Sequence, residues 1–172
     1  MSETMNADDS DVPLFAELHE ADPAVVEATR EAKKTLAHFL DTTAKMRFSP
    51  ATYLIKVPFI DRSDRNKQAL IRTGDTASEY PTRPTCHLWL SVSSGLDELV
   101  FCLVGEAPDR LHLNRGASFV VVRESIEDWM INHGGEVFGG FSLRLIRSRL
   151  SEVEQTRFDA HTGIREFKTL TP

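Results

Sequence analysis

The sequence contains little cysteine and no long hydrophobic run, and both absences exclude whole classes of protein. It has two cysteines in 172 residues, Cys86 and Cys102, without the paired spacing of a zinc site or a redox motif. The sequence has no stretch of about 18 apolar residues, which is the length that a transmembrane helix needs. The first residues are acidic and lack the basic start of a secretory signal peptide. We therefore expect a cytoplasmic protein whose thiols stay reduced.

The signatures of several enzyme classes are also missing. The phosphate-binding loop G-x-x-x-x-G-K-[ST], the metalloprotease pattern H-E-x-x-H, the EF-hand loop and G-x-S-x-G do not occur. The six histidines are scattered, with no two at the spacing of metal ligands. The sequence therefore predicts no metal and no cofactor, identifies no catalytic residue, and favours a protein that is not an enzyme.

Negative charge is concentrated near the amino terminus. The chain has a net charge of −6, but residues 1–31 hold nine acidic residues and one arginine, so the remaining residues sum to +2. A nucleic-acid-binding protein normally shows a basic domain or face, and neither is evident. The acidic leader is interpreted as a solvated tail, with docking on a basic partner or on the protein's own basic surface as the alternative. We expect neither a nucleic-acid nor a membrane partner.

Turn residues and periodicity predict one folded unit of the α+β class. Its predicted architecture is a small antiparallel meander sheet with an N-terminal helix packed on it and two or three short C-terminal helices. The predicted organisation is an acidic flexible leader at 1–21, a single domain at 22–163 with a long loop at 60–84, and a tail at 164–172.

Local signals place the individual elements. Asp22 and Pro23 are typical of a helix start, and apolar residues at helical spacing continue the helix to about residue 41. Helices are also predicted at 124–131, at 142–150 with Ser142 as N-cap, and from the capping box at Ser151 to about residue 161. Alternating or β-rich stretches predict strands near 53–59, 68–72, 85–92, 98–104, 111–113 and 118–122.

A hairpin centred on Gly95 would place Cys102 opposite Leu88. The two thiols would then be diagonal neighbours on one face, too offset for an easy disulfide.

His87 is the titratable residue of greatest interest. Strand alternation puts His87, Trp89 and Ser91 on one face, and the apolar residues Leu88 and Leu90 on the other. The mixed face is typical of a ligand-binding surface. The alternative is structural, with Trp89 packed under the first helix and His87 hydrogen-bonded to a backbone carbonyl.

Two further segments are candidates for the same binding surface. Asp128 and Trp129, at a predicted helix start, could bind a cation or the polar edge of a ligand. The alternative is that Asp128 caps local amides while Trp129 fills the core. Gly139 and Gly140 precede a predicted helix whose free amides could receive an anion, although two glycines also allow positive φ and close packing.

The order of several motifs resembles the DUF2314 family of small bacterial proteins of uncharacterised function, sometimes described as similar to YegJ. The motifs are YLIKVPF at 53–59, HLWLSV at 87–92, SIEDWM at 125–130 and GGFSLRLI at 139–146. The family usually has an acidic residue directly before the histidine, where this chain has Cys86. The resemblance implies a compact α+β domain of the bacterial cytoplasm and a binding or regulatory role.

Two hypotheses of function follow. The first is a non-enzymatic module that binds a protein or small-molecule partner, as a monomer or homodimer, with an immunity-like role as one form of it. The second is a small hydrolase or transferase in which Asp128 orients His87 as general base and the amides of Gly139 and Gly140 receive an anion.

Overall fold

The computed structural model describes residues 18, 20–46, 50–60, 70–71, 85–93, 100–103, 113 and 116–169. The predicted leader up to residue 17, the turn at 94–95, most of the loop at 60–84 and most of the strand at 111–113 lie outside these residues. In chain order the described elements are α1 Pro23–Met46, β1 Thr52–Ile60, β2 Leu70–Ile71, β3 Thr85–Ser93, β4 Val100–Leu103, β5 Ser118–Val120, a 3-10 turn Arg123–Ser125, β6 Asp128–His133, β7 Glu136–Gly139, α2 Phe141–Ser148, α3 Glu152–Thr162 and β8 Glu166–Phe167.

The first helix begins where the sequence predicts and ends later. The Ala24 amide donates to Asp22 Oδ1 at 2.8 Å, so Asp22 caps the first turn. The helix continues to Met46 rather than to about residue 41. Thr43 is buried and a Lys45–Asp41 ion pair of 2.6 Å lies on the exposed side. Tertiary packing therefore extends the helix through polar residues of low helical propensity.

The sheet is built around β1, and the α+β class is confirmed. The strand order is β5-β4-β3-β1-β6-β7-β8, with β2 paired to β1. The predicted meander accounts for β3, β4 and β5, and the β6–β7 hairpin lies on the other side of β1. Strand β8 adds a short parallel edge to β7. Among the described helices, none has the length and apolarity that a membrane crossing needs.

The two faces of the sheet carry two hydrophobic cores. The first core packs α1 against one face, and the second core packs α2 and α3 against the other. The first core consists of Ala32, Leu36, Phe39, Tyr53, Ile55, Val57, Phe59, Leu88, Leu90, Ile126, Trp129 and Ile131. The second core consists of Met130, Val137, Leu143, Ile146, Phe158 and Ile164.

The helix predicted at 124–131 is wrong. A 3-10 turn at Arg123–Ser125 is followed by strand β6, which pairs with β1. The first four residues of β6 are all buried, because both faces of the sheet are covered. A strand buried on both faces shows no polar–apolar alternation, so its sequence is not distinguished from a short buried helix.

The predicted hairpin register is also wrong. Cys102 pairs with Ser91 instead of Leu88, and Leu90 pairs with Leu103. On β3, Cys86 lies five positions before Ser91, an odd offset, so positions 86 and 102 have opposite parity in the sheet. The predicted neighbourhood of the two cysteines on one face is therefore absent from this register.

An Arg147–Asp159 ion pair joins α2 to α3, and we expect its contribution to the free energy of unfolding to depend on pH. Both oxygens of Asp159 accept from the guanidinium at 2.7 Å, and these hydrogen bonds lower the pKa of Asp159 below 3.8. Stability from a lowered carboxyl pKa is present above the unfolded value and is lost as pH falls through the folded value. Asp159→Asn should therefore cost up to about 1 kcal/mol at pH 7 and almost nothing at the most acidic pH where the chain stays folded.

Urea unfolding of both proteins across this pH range measures the difference. Asp41→Asn, which breaks an exposed pair within α1, serves as the control and should change stability little at any pH. A cost for Asp159→Asn that stayed constant on acidification would contradict the prediction.

Candidate functional site

The residues predicted to form one binding surface are divided between two faces of the sheet. His87 and Trp89 are half-buried on β3, and Trp89 packs against the second core. Their neighbours Leu88 and Leu90 belong to the first core, as the alternation of the strand predicts. Trp129 also belongs to the first core, on the opposite face from Trp89.

His87 is held between two glutamates. Its Nδ1 lies 2.6 Å from Glu127 Oε2, and its Nε2 lies 3.3 Å from Glu20 Oε1. The side chains of His87, Glu127 and Glu20 are 24%, 26% and 66% exposed. A neutral imidazole has one N–H and can donate to one of these carboxylates, whereas the imidazolium donates to both. The ring is thus fixed by Glu127 while its other edge faces a carboxylate at the surface.

No sequence pattern singles out Glu127 as a partner of His87, and its position has a clear structural cause. Its amide donates to the Lys56 carbonyl at 2.9 Å, and Lys56 is the register partner of Asp128. Two consecutive residues therefore stand opposite one residue of β1, which is the arrangement of a β-bulge. The bulge breaks the alternation of side chains and lets Glu127 reach His87.

The structural alternative for His87 and Trp89 is wrong in both details. Trp89 packs on the face away from α1 rather than under it, and His87 contacts carboxylates rather than a backbone carbonyl. Trp129 is the tryptophan that packs with the first helix. Its ring stacks on Phe39 with centroids 5.2 Å apart, and its Nε1 donates to the Ala32 carbonyl at 3.0 Å.

Asp128 acts as a cap for α2 from a neighbouring strand. One carboxylate oxygen accepts from the amides of Trp129 and Phe141 at 2.8 and 3.1 Å, and the other accepts from the amide and hydroxyl of Ser142 at 2.7 and 2.6 Å. Burial raises the pKa of Asp128, while its hydrogen bonds with Ser142 and Trp129 and the charge of Lys56 oppose that rise. Asp128 therefore serves the fold and does not orient His87, which is fixed by Glu127.

The sequence predicts Ser142 as the N-cap of α2, and this prediction is wrong. The N-cap is Gly140, at φ 64°, and Ser142 lies in the first turn. The first amides of the helix, those of Phe141 and Ser142, donate to Asp128. The Gly140 amide donates to the Trp129 carbonyl at 2.7 Å. The carboxylate of Asp128 thus lies where the sequence analysis placed an external anion.

A short segment before α1 lies against the face of His87. We call residues 18 and 20–22 the N-terminal strap. Leu18 packs against the second core, Glu20 contacts His87, and Asp22 pairs with Arg149 at 2.6 Å. The strap therefore connects the start of α1 with the sheet face and with the end of α2.

Within the described part of the chain, no group of three or more His, Cys, Asp or Glu residues is arranged to hold a metal ion. The candidate site is thus the surface formed by His87, Trp89 and Glu127, which we call the binding face. It can present a histidine N–H, a carboxylate and an indole ring side by side.

Comparison with known proteins places the chain in a family. One similar protein is described as an ankyrin repeat protein of Neisseria meningitidis serogroup B and is 25% identical over 152 residues. The match covers 86% of this chain but 54% of that protein, so the chain spans about half the length of this relative. No solved structure matches the chain. The profile of DUF2314, described as an uncharacterized protein conserved in bacteria, matches residues 22–167, so the chain belongs to the DUF2314 family.

Proposed function

We propose that the chain is a protein-binding module and that a partner protein docks on the binding face. The observation that carries the proposal is the oriented histidine at the surface. Glu127 fixes Nδ1 of His87, so Nε2 is aimed at a carboxylate, and half-buried Trp89 lies two residues along the same face. Aromatic side chains beside oriented polar groups are typical of the residues that dominate the energy of protein interfaces.

The relative from Neisseria supports an interaction role. Its name attributes ankyrin repeats to it, and repeats of this kind stack into extended binding surfaces. The described residues of the present chain form a sheet with helices on both faces, so they are not themselves stacked helical repeats. A stretch similar to this chain in a protein named for ankyrin repeats is consistent with a role in protein recognition.

The hydrolase or transferase hypothesis is less well supported by this geometry. Both ring nitrogens of His87 face carboxylates, and an ionised carboxylate has no proton that a general base could remove. Asp128, the predicted orienter, is buried and occupied by four donors. Recognition therefore accounts for the arrangement more directly than catalysis does.

Site-specific photocrosslinking in the cells that encode the chain tests the proposal. Benzoylphenylalanine is introduced at position 89 in the binding face and, as the control, at position 153 on α3, where Val153 is 64% exposed. We expect a discrete crosslinked protein at position 89 that is absent at position 153. Identical adducts at both positions, or none at position 89, would overturn the proposal.

The captured partner then allows a quantitative prediction. His87→Ala and Trp89→Ala should each weaken its binding about tenfold or more, because truncated interface anchors commonly cost over 1 kcal/mol. His38→Ala, at an exposed site on α1, should leave the affinity unchanged. Calorimetric titration measures the three affinities, and urea unfolding shows that the variants stay folded. Equal affinities for all variants would exclude the binding face.

A further inference from the structure

We propose that the N-terminal strap is a built-in ligand of the binding face and that the partner uses the same chemistry. The strap presents an aliphatic side chain, Leu18, and a carboxylate two residues later, Glu20. The inference about the partner rests on the proposed function: the partner segment would carry an aliphatic residue and an acid at the same spacing. The strap would have to leave before such a segment docks.

The chemistry of the face selects both groups. His87 is fixed through Nδ1 by Glu127, so its Nε2 meets whatever lies above it, and in this chain that group is the Glu20 carboxylate at 3.3 Å. Leu18 and Trp89 both pack against the second core, so the apolar part of the face lies next to the histidine. A carboxylate with an aliphatic neighbour satisfies both parts at once.

The contacts of the strap suit a reversible self-ligand. Glu20 remains 66% exposed, and an exposed ion pair contributes little by itself. The strap is anchored at its other end, because Asp22 caps α1 and pairs with Arg149 at 2.6 Å. A tethered segment binds at a high effective concentration, so weak contacts are enough to keep it in place. A partner segment with additional contacts would displace it.

The first experiment reports on the strap without any partner. The full chain is labelled with 5-fluorotryptophan, which gives one fluorine resonance for Trp89 and one for Trp129, assigned with Trp89→Phe. Glu20→Lys and Leu18→Asp should shift the Trp89 resonance, because they release the strap beside it. Glu152→Lys, an exposed change at the start of α3, should leave it in place. The Trp129 resonance, from the opposite face, should stay unchanged throughout.

The second experiment supplies the strap in trans. A synthetic peptide of residues 12–21 is titrated into the full chain carrying Glu20→Lys and into the wild type. We expect the peptide to return the Trp89 resonance towards its wild-type position in the variant. Its apparent affinity should be at least about fivefold lower for the wild type, whose own strap competes. A Glu20→Lys peptide should not bind, and adding His87→Ala to the variant should abolish binding.

The outcomes separate this inference from the proposed function. A Trp89 resonance that ignores Glu20→Lys and Leu18→Asp, or a peptide that binds equally well without His87, would overturn the strap as a ligand. Crosslinking at position 89 would be unaffected by that failure. Conversely, a strap that behaves as expected with no partner crosslinked at position 89 would leave the self-contact standing and remove the proposed function.

Discussion

Replacing Gly139 with alanine is expected to cost about 2–5 kcal/mol of unfolding free energy. Gly139 adopts φ +72°, and a Cβ atom there would lie 2.3 Å from the Trp129 carbonyl oxygen and 2.6 Å from its ring. An L-residue at positive φ carries about 1–2 kcal/mol of strain, and overpacking a core typically costs about 1–3 kcal/mol more. The Trp129 ring cannot move aside easily, because it is fully buried against Phe39.

Gly163 provides a matched control for this substitution. It adopts a similar φ of +68°, at the end of α3, but nothing lies within 4 Å of the position of its Cβ. Gly163→Ala should therefore show the backbone strain alone, about 1–2 kcal/mol. Urea unfolding of both variants measures the two losses, and their difference is the cost of the close approach to Trp129. Equal losses would show that the contact between Gly139 and Trp129 contributes nothing.

The role of Gly139 and Gly140 could not be predicted from the sequence. Two consecutive glycines before a helix indicate positive φ or close packing, and both interpretations were open beside an anion site. The structure shows that Gly139 permits the approach of Trp129 and that Gly140 begins α2. Only the pairing of β6 with β7, which a helix predicted at 124–131 excludes, decides which group lies next to each glycine.

Elements with local signals were predicted well from the sequence. The start of α1 follows from Asp22 and Pro23, and the capping box of Ser151 with Glu154 correctly marks the start of α3. Strand β1 follows from alternation, because one of its faces is lined by buried Tyr53, Ile55, Val57 and Phe59. In each case the physical cause lies within a few residues of the element.

The candidate site depends on contacts that sequence patterns do not contain. Glu127 reaches His87 because of a β-bulge against Lys56. The sequence predicts a helix at 124–131, and a β-bulge cannot be predicted in a helix. Glu20 lies 67 positions before His87 and meets it only through the path of the strap. The docking of the acidic leader on the protein's own basic surface stays a prediction; one contact of the leader that the structure describes is that of Glu20 with His87.

Asp128→Ala is expected to cost about 3–4 kcal/mol, although Asp128 is buried and is not part of the binding face. The carboxylate satisfies four donors, of which two are the first amides of α2. Loss of a side chain that caps the first amides of a helix costs about 0.5–2 kcal/mol, and the buried Trp129 amide or Ser142 hydroxyl left without an acceptor adds about 1–3 kcal/mol. The comparison is Ser142→Ala, which removes only the hydrogen bond from the Ser142 hydroxyl to Asp128 and should cost about 1 kcal/mol. Urea unfolding at neutral pH measures both.

The pH dependence of this residue should be opposite in sign to that of Asp159. Because burial raises the pKa of Asp128, the folded chain holds this proton to a higher pH than the unfolded chain does. That contribution is fully present below the unfolded value of 3.8 and is lost as pH rises through the folded value. The asparagine of Asp128→Asn does not titrate in this range. The difference in unfolding free energy between this variant and the wild type should therefore narrow as pH rises from the unfolded to the folded pKa of Asp128. A difference that widened with pH would show that the hydrogen bonds from the four donors outweigh burial and lower the pKa of Asp128.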